Sequence, residues 1–242
     1  GEARSMKASE RHQLKQNEFV ETTMRVADWA RGHQRELVPA VIAVLVVAAV
    51  VGGYSFWHKH RADRAGALLG VATALEQAPI APPSNVPGAK QVAGTYPTEQ
   101  ARGEAALKAL QEVVDQYPST KAALVARYQI AAEYLALNRP ADAQKAFETV
   151  AADAGSSSIY AALARMGEAE ALMAANKYDD AAKIYTDLAA QRDGAMPVDG
   201  VLMQLASAEQ KAGKTADARA TYKRVVDEFP DSAYVTDAQQ QI

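Results

Sequence analysis

His58-Lys59-His60 places two imidazoles on either side of a lysine, a spacing that could hold a metal ion. At the border of an apolar segment the same residues read as interfacial side chains, and that is the expected reading. Glu168 with Glu170, and Asp179 with Asp180, are the carboxylate pairs that could serve acid–base chemistry. Such work needs two carboxyls converging on a pocket that splits their pKa values. On the outer faces of helices these four are expected to be solvated instead. Gly52-Gly53 lies inside the apolar segment, and Gly66 and Gly70 are isolated, so the pattern of a glycine-rich phosphate loop is missing. Cysteine is absent, which removes disulfides, thiol catalysis and Cys-ligated zinc or iron–sulfur sites. His12, His33, His58 and His60 all fall within the first 60 residues. The other 182 residues therefore contain no imidazole, and counting excludes a Ser-His-Asp triad there. No catalytic, cofactor-binding or metal-ligating residue is nominated, and an enzyme is not expected.

If the chain does not do chemistry, its elements must build a surface. Of its 242 residues 49% are apolar, and 53 are alanine. Alanine has the best intrinsic helix propensity and lets helices approach closely. The formal net charge is −3, so binding to nucleic acid through a basic face is not expected. The charge is uneven. Residues 1–36 carry seven Lys/Arg against six Asp/Glu, a net of +1, while residues 101–242 carry fifteen against twenty, a net of −5. The order is a polar head, an apolar bar and an acidic body.

Leu37 to Trp57 is a run of 21 residues without a charge. As a helix it spans roughly 30 Å, about one hydrocarbon thickness. Trp29, Tyr54 and Trp57 lie near its ends, where aromatic rings favour the interface. Pro39 falls in the first turn, where its missing N–H costs little. A buried helix of a soluble domain would carry a polar stripe, and a cleavable signal peptide would have a shorter apolar run and a shorter head. A single membrane span over 37–57 is therefore expected. Positive charge does not orient it: Arg25, Arg31 and Arg35 on one side balance Lys59, Arg61 and Arg64 on the other. Residues 10–31 suggest a partly amphipathic helix, with Phe19, Val20, Thr23, Val26, Ala27 and Ala30 in one wide stripe. It reads equally as a surface-lying segment or as an extension of the spanning helix. Ala48 with Gly52 and Ala49 with Gly53 are small-xxx-small pairs that could join copies into a homo-oligomer, though an Ala/Val-rich span produces such pairs by chance. Met6 is the first methionine, so Gly1–Ser5 read as tag, upstream readthrough or misassigned start, and the chain is expected to continue past Ile242.

The body repeats. Ala106, Leu110 and Val113 recur as Ala143, Phe147 and Val150, as Ala181, Tyr185 and Leu188, and as Ala218, Tyr222 and Val225. The starts are 37, 38 and 37 residues apart. The i, i+4, i+7 spacing puts a small residue, a large one and an aliphatic on one helical face. Asn138, Asn176 and Gly213 precede three of the four, where a left-handed helix end suits Asn or Gly, and Thr or Asp is expected to start the next helix. Val113-Val114-Asp115-Gln116-Tyr117-Pro118-Ser119 matches Val225 to Asp231, with proline ending one helix and Ser119 or Asp231 capping the next. Helices are expected at 56–78, 98–117, 120–137, 140–153, 157–175, 178–191, 198–212, 215–229 and 232–242, the first continuing from the span with Ala65, Leu68, Ala72 and Leu75 on one face. The loop 79–97 holds half of the ten prolines and reads as a spacer or insertion rather than a partner-binding strap.

This helix pattern resembles the tetratricopeptide repeat, whose usual period is about 34. Here the period is longer, and the tyrosine of the first helix, present as Tyr134, is replaced by Leu172 and Glu209 in later repeats. The layout of polar head, single span and repeat body is similar to a bacterial family of ancillary Sec-translocon subunits. That resemblance implies an all-α chain of one transmembrane helix followed by an α-solenoid of TPR-like helix pairs. It implies a cytoplasmic head at 1–36, a span at 37–57 in the inner membrane and a periplasmic repeat domain at 58–242. In the resembled family the first helix of each pair lines a concave binding surface, which puts Tyr128, Leu135, Met166, Glu170, Met173, Met203 and Gln210 in a partner-binding groove. The methionines there would form an adaptable surface for varied peptides, or else fill gaps between helices. The expected function is a membrane-anchored protein-interaction module at the Sec translocon, with translocon subunits, translocating chains or periplasmic chaperones as partners. The alternative is a cell-envelope scaffold for division or outer-membrane assembly.

Overall fold

The computed structural model describes residues 24–25, 29, 31–82, 90–155, 158–191 and 194–242. The stripe residues Phe19, Val20, Thr23, Val26, Ala27 and Ala30 lie outside the described residues, as do Pro83 and Pro87 of the proline-rich loop. The chain divides into two compact units, 1–59 and 60–242.

The first unit is dominated by the start of helix α1 (Gln34–Glu76). Its apolar side chains face outward: Val44 is 67% exposed, Leu45 63% and Val50 65%. Aliphatic side chains left this open in water each forfeit about 1.5–3 kcal/mol of burial. α1 is, among the described residues, the one helix long and apolar enough to cross a membrane, over Val38–Glu76. Pro39 is the sixth residue of α1, past the first turn expected for it, where the ring removes one helical N–H. Tyr54 and Trp57 pack beside each other with ring centroids 6.3 Å apart at the end of the uncharged run.

In the second unit α2 (Glu99–Gln116), α3 (Lys121–Ala136), α4 (Pro140–Ala154), α5 (Ile159–Ala174) and α6 (Tyr178–Ala189) follow one another. They continue as α7 (Val198–Lys211), α8 (Thr215–Glu228) and the short α9 (Val235–Gln239). From α2 onward each helix packs on the next in chain order. All twelve residues of the small, large and aliphatic pattern are buried, from Ala106, Leu110 and Val113 to Ala218, Tyr222 and Val225. On the closing stretch of α1, Ala65 and Ala72 are also fully buried, and Leu68 packs on Leu110 and Ile130. The spacing on the sequence is thus the contact face of the solenoid.

The turns explain the period. Asn138 has φ 55° and Asn176 φ 59°, and Gly213 has φ 80°, the left-handed conformation that ends a helix. The Asn138 N–H donates to the Leu135 carbonyl at 2.9 Å, and the Arg139 N–H to the Tyr134 carbonyl at 2.8 Å. The same pair of bonds recurs at Asn176–Lys177 and at Gly213–Lys214. With these backbone bonds made, the N-cap residues Arg139, Lys177 and Lys214 of α4, α6 and α8 make no side-chain cap; of the Thr or Asp expected at the helix starts, Thr215 opens α8, while Pro140 and Tyr178 open the other two. Acidic residues fall instead in the first turns, Asp142, Asp179 with Asp180, and Asp217, where they favour the positive end of the helix dipole. Two further caps shift by one residue. Thr120, not Ser119, caps α3 by accepting from the Ala123 N–H at 3.2 Å. After Pro230 it is Ser232, not Asp231, whose hydroxyl accepts from the Tyr234 N–H. Ser232 also donates to Asp199 at 2.6 Å, which holds the chain in turns through Tyr234 and shortens the expected last helix to Val235–Gln239.

The segment between α1 and α2 contains no helix among its described residues. A bridge between Ile80 and Tyr96 closes its base, with Gln91 donating to the Ala81 carbonyl at 2.8 Å and to the Thr95 hydroxyl at 2.7 Å.

Candidate functional site

The residues with chemical potential are spread along the chain. His58 packs beside Tyr54, with ring centroids 6.0 Å apart. Asp179 pairs with Lys214 at 2.6 Å and Asp180 with Lys183 at 2.9 Å, so each carboxylate of that couple is bound to a lysine. Hydrogen bonding and charge from Lys214 hold the Asp179 carboxyl below the usual carboxylate range. Among the described residues, no group of three or more His, Cys, Asp or Glu is arranged to hold a metal. Glu170 is exposed and Glu168 half-buried, so the solvated reading holds for the first and only in part for the second. Partial desolvation still raises both carboxyls, that of Glu168 with help from the charge of Glu148.

A cleft of about 520 Å³ opens between the second helices α6 and α8 and is lined by Asp179, Lys183, Asp187, Glu209, Lys214 and Asp217. Its charges are largely spent on each other and on neighbours: Lys214 is bound to Asp179, Asp187 to Arg165 at 3.0 Å, and Glu209 accepts from the buried Thr221 hydroxyl at 2.8 Å. It is an ionic seam between consecutive repeats.

The seven residues expected to line a groove occupy corresponding positions on the first helices. Tyr128, Met166 and Met203 fall on one register of α3, α5 and α7, and Leu135, Met173 and Gln210 one face further along. None of the seven is fully buried. Tyr128 packs edge-on against Phe147 with ring centroids 5.5 Å apart. Leu135 leans on the same cluster around Phe147, while Met166, Met173 and Met203 pack against the next one, around Leu172, Tyr185 and Leu202. The methionines thus pack against a core cluster between helices and remain partly exposed. Gln210 is exposed and accepts from the Tyr222 hydroxyl at 3.4 Å.

Glu170 is exposed on α5. Its carboxyl is held up by desolvation, and its charge raises the hydroxyls of both Tyr128 and Tyr185 further above their ordinary value than burial alone. Tyr185 is fully buried, and its hydroxyl has no hydrogen-bond partner among the described residues. Tyr185 reads in the sequence as the large residue of a repeat, where Leu110 and Phe147 carry no hydroxyl and Tyr222 carries one.

Residues 128–197 match one tetratricopeptide repeat model and residues 172–242 another. Among solved structures, a kinesin-light-chain-like protein of Podosopora anserina with nearly identical TPR-like repeats is similar at 16% identity and a TM-score of 0.54, covering 74% of this chain and 83% of that one. A single-residue variant of that protein gives 16% identity and a TM-score of 0.53, covering 72% and 78%. At this identity the likeness concerns the fold. No curated protein sequence matches the chain. Residues 128–242 are thus covered by matches to tetratricopeptide repeat models and are built as an all-α solenoid of helix pairs.

Proposed function

We propose that the chain is a single-span protein of the bacterial inner membrane whose repeat body binds other proteins. Residues 1–36 are the cytoplasmic head, 37–57 cross the bilayer, and 58–242 lie in the periplasm. The groove on the first helices, through Tyr128, Leu135, Met166, Glu170, Met173, Met203 and Gln210, takes its partners at the Sec translocon: translocon subunits, translocating chains or periplasmic chaperones. One observation carries the reading. A helix with apolar side chains exposed all round precedes a body whose first helices carry half-open Tyr, Leu and Met residues. An apolar patch of that size calls for lipid, and half-open methionines call for a second protein. Tetratricopeptide repeats are interaction modules, and stacked repeats present extended surfaces suited to that work.

Two measurements test it. Protease added to spheroplasts should digest the body and leave the head protected. A photo-crosslinking residue at Gln210, activated in intact membranes, should recover Sec components. Recovery of envelope-assembly proteins alone would replace this reading with the scaffold one, and a body protected from protease in spheroplasts would reverse the topology.

A further inference from the structure

The cations that follow the uncharged run are unlike those of the later helices. Arg127, Arg139, Arg165 and Arg224 each bind a carboxylate, those of Asp153, Asp142, Asp187 and Glu228. Arg64 is exposed and makes no ion pair among the described residues, although Asp63 precedes it. Arg61 is half-buried and held in place by the body. Its guanidinium donates to the Gln116 carbonyl at 3.3 Å and lies 5.8 Å from the centroid of the Tyr117 ring. Lys59, Arg61 and Arg64 against Asp63 give residues 58–64 a net of +2, opposite in sign to the −5 of residues 101–242.

Their place along α1 decides what can reach them. Arg61 follows Trp57, the last residue of the uncharged run, by four residues, and Arg64 follows it by seven. Along a helix those steps are about 6 Å and about 10 Å. The polar layer on each side of the hydrocarbon is roughly 5–8 Å deep. With 37–57 across the bilayer, Arg61 falls among the headgroups, and the long side chain of Arg64 bends back to them. Three residues apart, the two are neighbours on one side of the helix and can share a phosphate, whose oxygens suit guanidinium forks. A zwitterionic headgroup brings its own cation to its phosphate. An acidic headgroup does not, so a pair of arginines favours the acidic one.

We propose that Arg61 and Arg64 form a site for the phosphate of an acidic phospholipid in the leaflet on the body's side. Arg61, oriented by Gln116 and Tyr117, is the fixed half of the site, and Arg64 is the exposed half. The positive charge on this side of the span, which balances that of the head, then serves to hold lipid. The proposal rests on the reading that 37–57 crosses the bilayer, and not on which side of the membrane the body lies.

The test uses the full chain with Trp29→Phe, which leaves Trp57 as its one tryptophan. The protein is reconstituted in phosphatidylcholine vesicles holding a small share of dibrominated lipid, either phosphatidylglycerol or phosphatidylcholine. Bromine quenches indole on contact, so the two quenching curves read which lipid sits beside Trp57. Brominated phosphatidylglycerol should quench at the lower share. Arg64→Gln should reduce that preference about fivefold, and Arg61→Gln combined with it should remove the preference. Lys59→Gln makes the same change of charge on the opposite side of the helix and should leave the preference intact. Equal loss in Lys59→Gln and Arg64→Gln would mean that bulk charge is at work and would overturn the site. So would an unchanged preference in the double variant. If the two brominated lipids quench the parent chain alike, the span stands and the lipid site falls. If neither quenches it, Trp57 is not at a bilayer and both readings fall. Inorganic phosphate added at constant ionic strength should change nothing; loss of the preference would assign the arginines to free phosphate and overturn the lipid.

Discussion

At the scale of single residues, two opposing effects meet at Gly167. Alanine in a helix interior is worth about 0.5–1 kcal/mol over glycine. A Cβ on Gly167, however, would fall on the ring of Phe147, which is 2% exposed and held between α4 and α5. Overpacking of this kind costs about 1–3 kcal/mol, so Gly167→Ala should lower the melting temperature despite its better propensity. Gly103 is the control: the atoms crowding it belong to the ends of Glu133 and Leu137, which can swing aside, so Gly103→Ala should lose less. Thermal melts of the two variants decide the order, and the reverse order would place the tight contact elsewhere. The partly desolvated carboxylates give a pH dependence with a definite sign. Desolvation raises Glu133, Glu168 and Glu170 above their ordinary value. Between the ordinary and the raised values the folded chain binds more protons than the unfolded one, so stability falls as pH rises through that window. The cost is complete above the raised values and absent below the ordinary value of 4.5. Asp179 works the other way, but only as pH falls below its ordinary value of 3.8. Acidification from neutrality toward that window should therefore raise the melting temperature, and replacing all three glutamates by glutamine should flatten the slope. An identical slope in the triple variant would refute the assignment.

At the scale of elements, the recurring turn is the device that sets the repeat. Asn176 holds φ 59°, a conformation that costs a β-branched residue more than asparagine, and glycine nothing. Asn176→Val should destabilise by about 1–3 kcal/mol, whereas Asn176→Gly should be near neutral, as measured by chemical denaturation. Equal effects would mean that the turn relaxes out of the left-handed conformation. This element was legible in the sequence because Asn138, Asn176 and Gly213 recur at the repeat period, and glycine and asparagine report backbone conformation directly. Helix boundaries were legible for the same reason, since Pro118 and Pro230 and the turn residues punctuate a clear apolar period; those of α2 to α8 fall within two residues of the expectation. The capping was not. Arg139, Lys177 and Lys214 precede α4, α6 and α8 without a side-chain cap because the preceding turn has already bonded their amides, and a bond between backbone atoms leaves no side-chain signature. The candidate groove was legible as far as the register of the first helices, which sets Tyr128, Met166 and Met203 at equivalent positions; no spacing along one helix reveals which side chains of its neighbours converge on it.

At the scale of the whole repeat body, the core is segmented. Leu110, Val113 and Ile130 form one cluster with the end of α1, Phe147 and Val150 a second, and Leu172, Tyr185, Leu202 and Val225 a third and largest. Each helix packs chiefly on its chain neighbours, so stability passes from repeat to repeat through interfaces and is not pooled in one centre. A lesion in one cluster should then loosen its own repeats before distant ones. Leu202 is fully buried in the third cluster, and truncating a buried leucine to alanine costs about 2–5 kcal/mol, depending on how far the site collapses. In a globally cooperative domain that loss lowers the protection of every slowly exchanging amide equally. In a nearest-neighbour stack it strips α6 to α9 of protection, while α2 to α4 exchange as before. Hydrogen exchange of Leu202→Ala in nanodiscs, read peptide by peptide, separates the two cases. A uniform drop across α2 to α8 would show that the clusters act as one core. A graded drop would mean that the α7 end can yield without unsettling the repeats nearer α1.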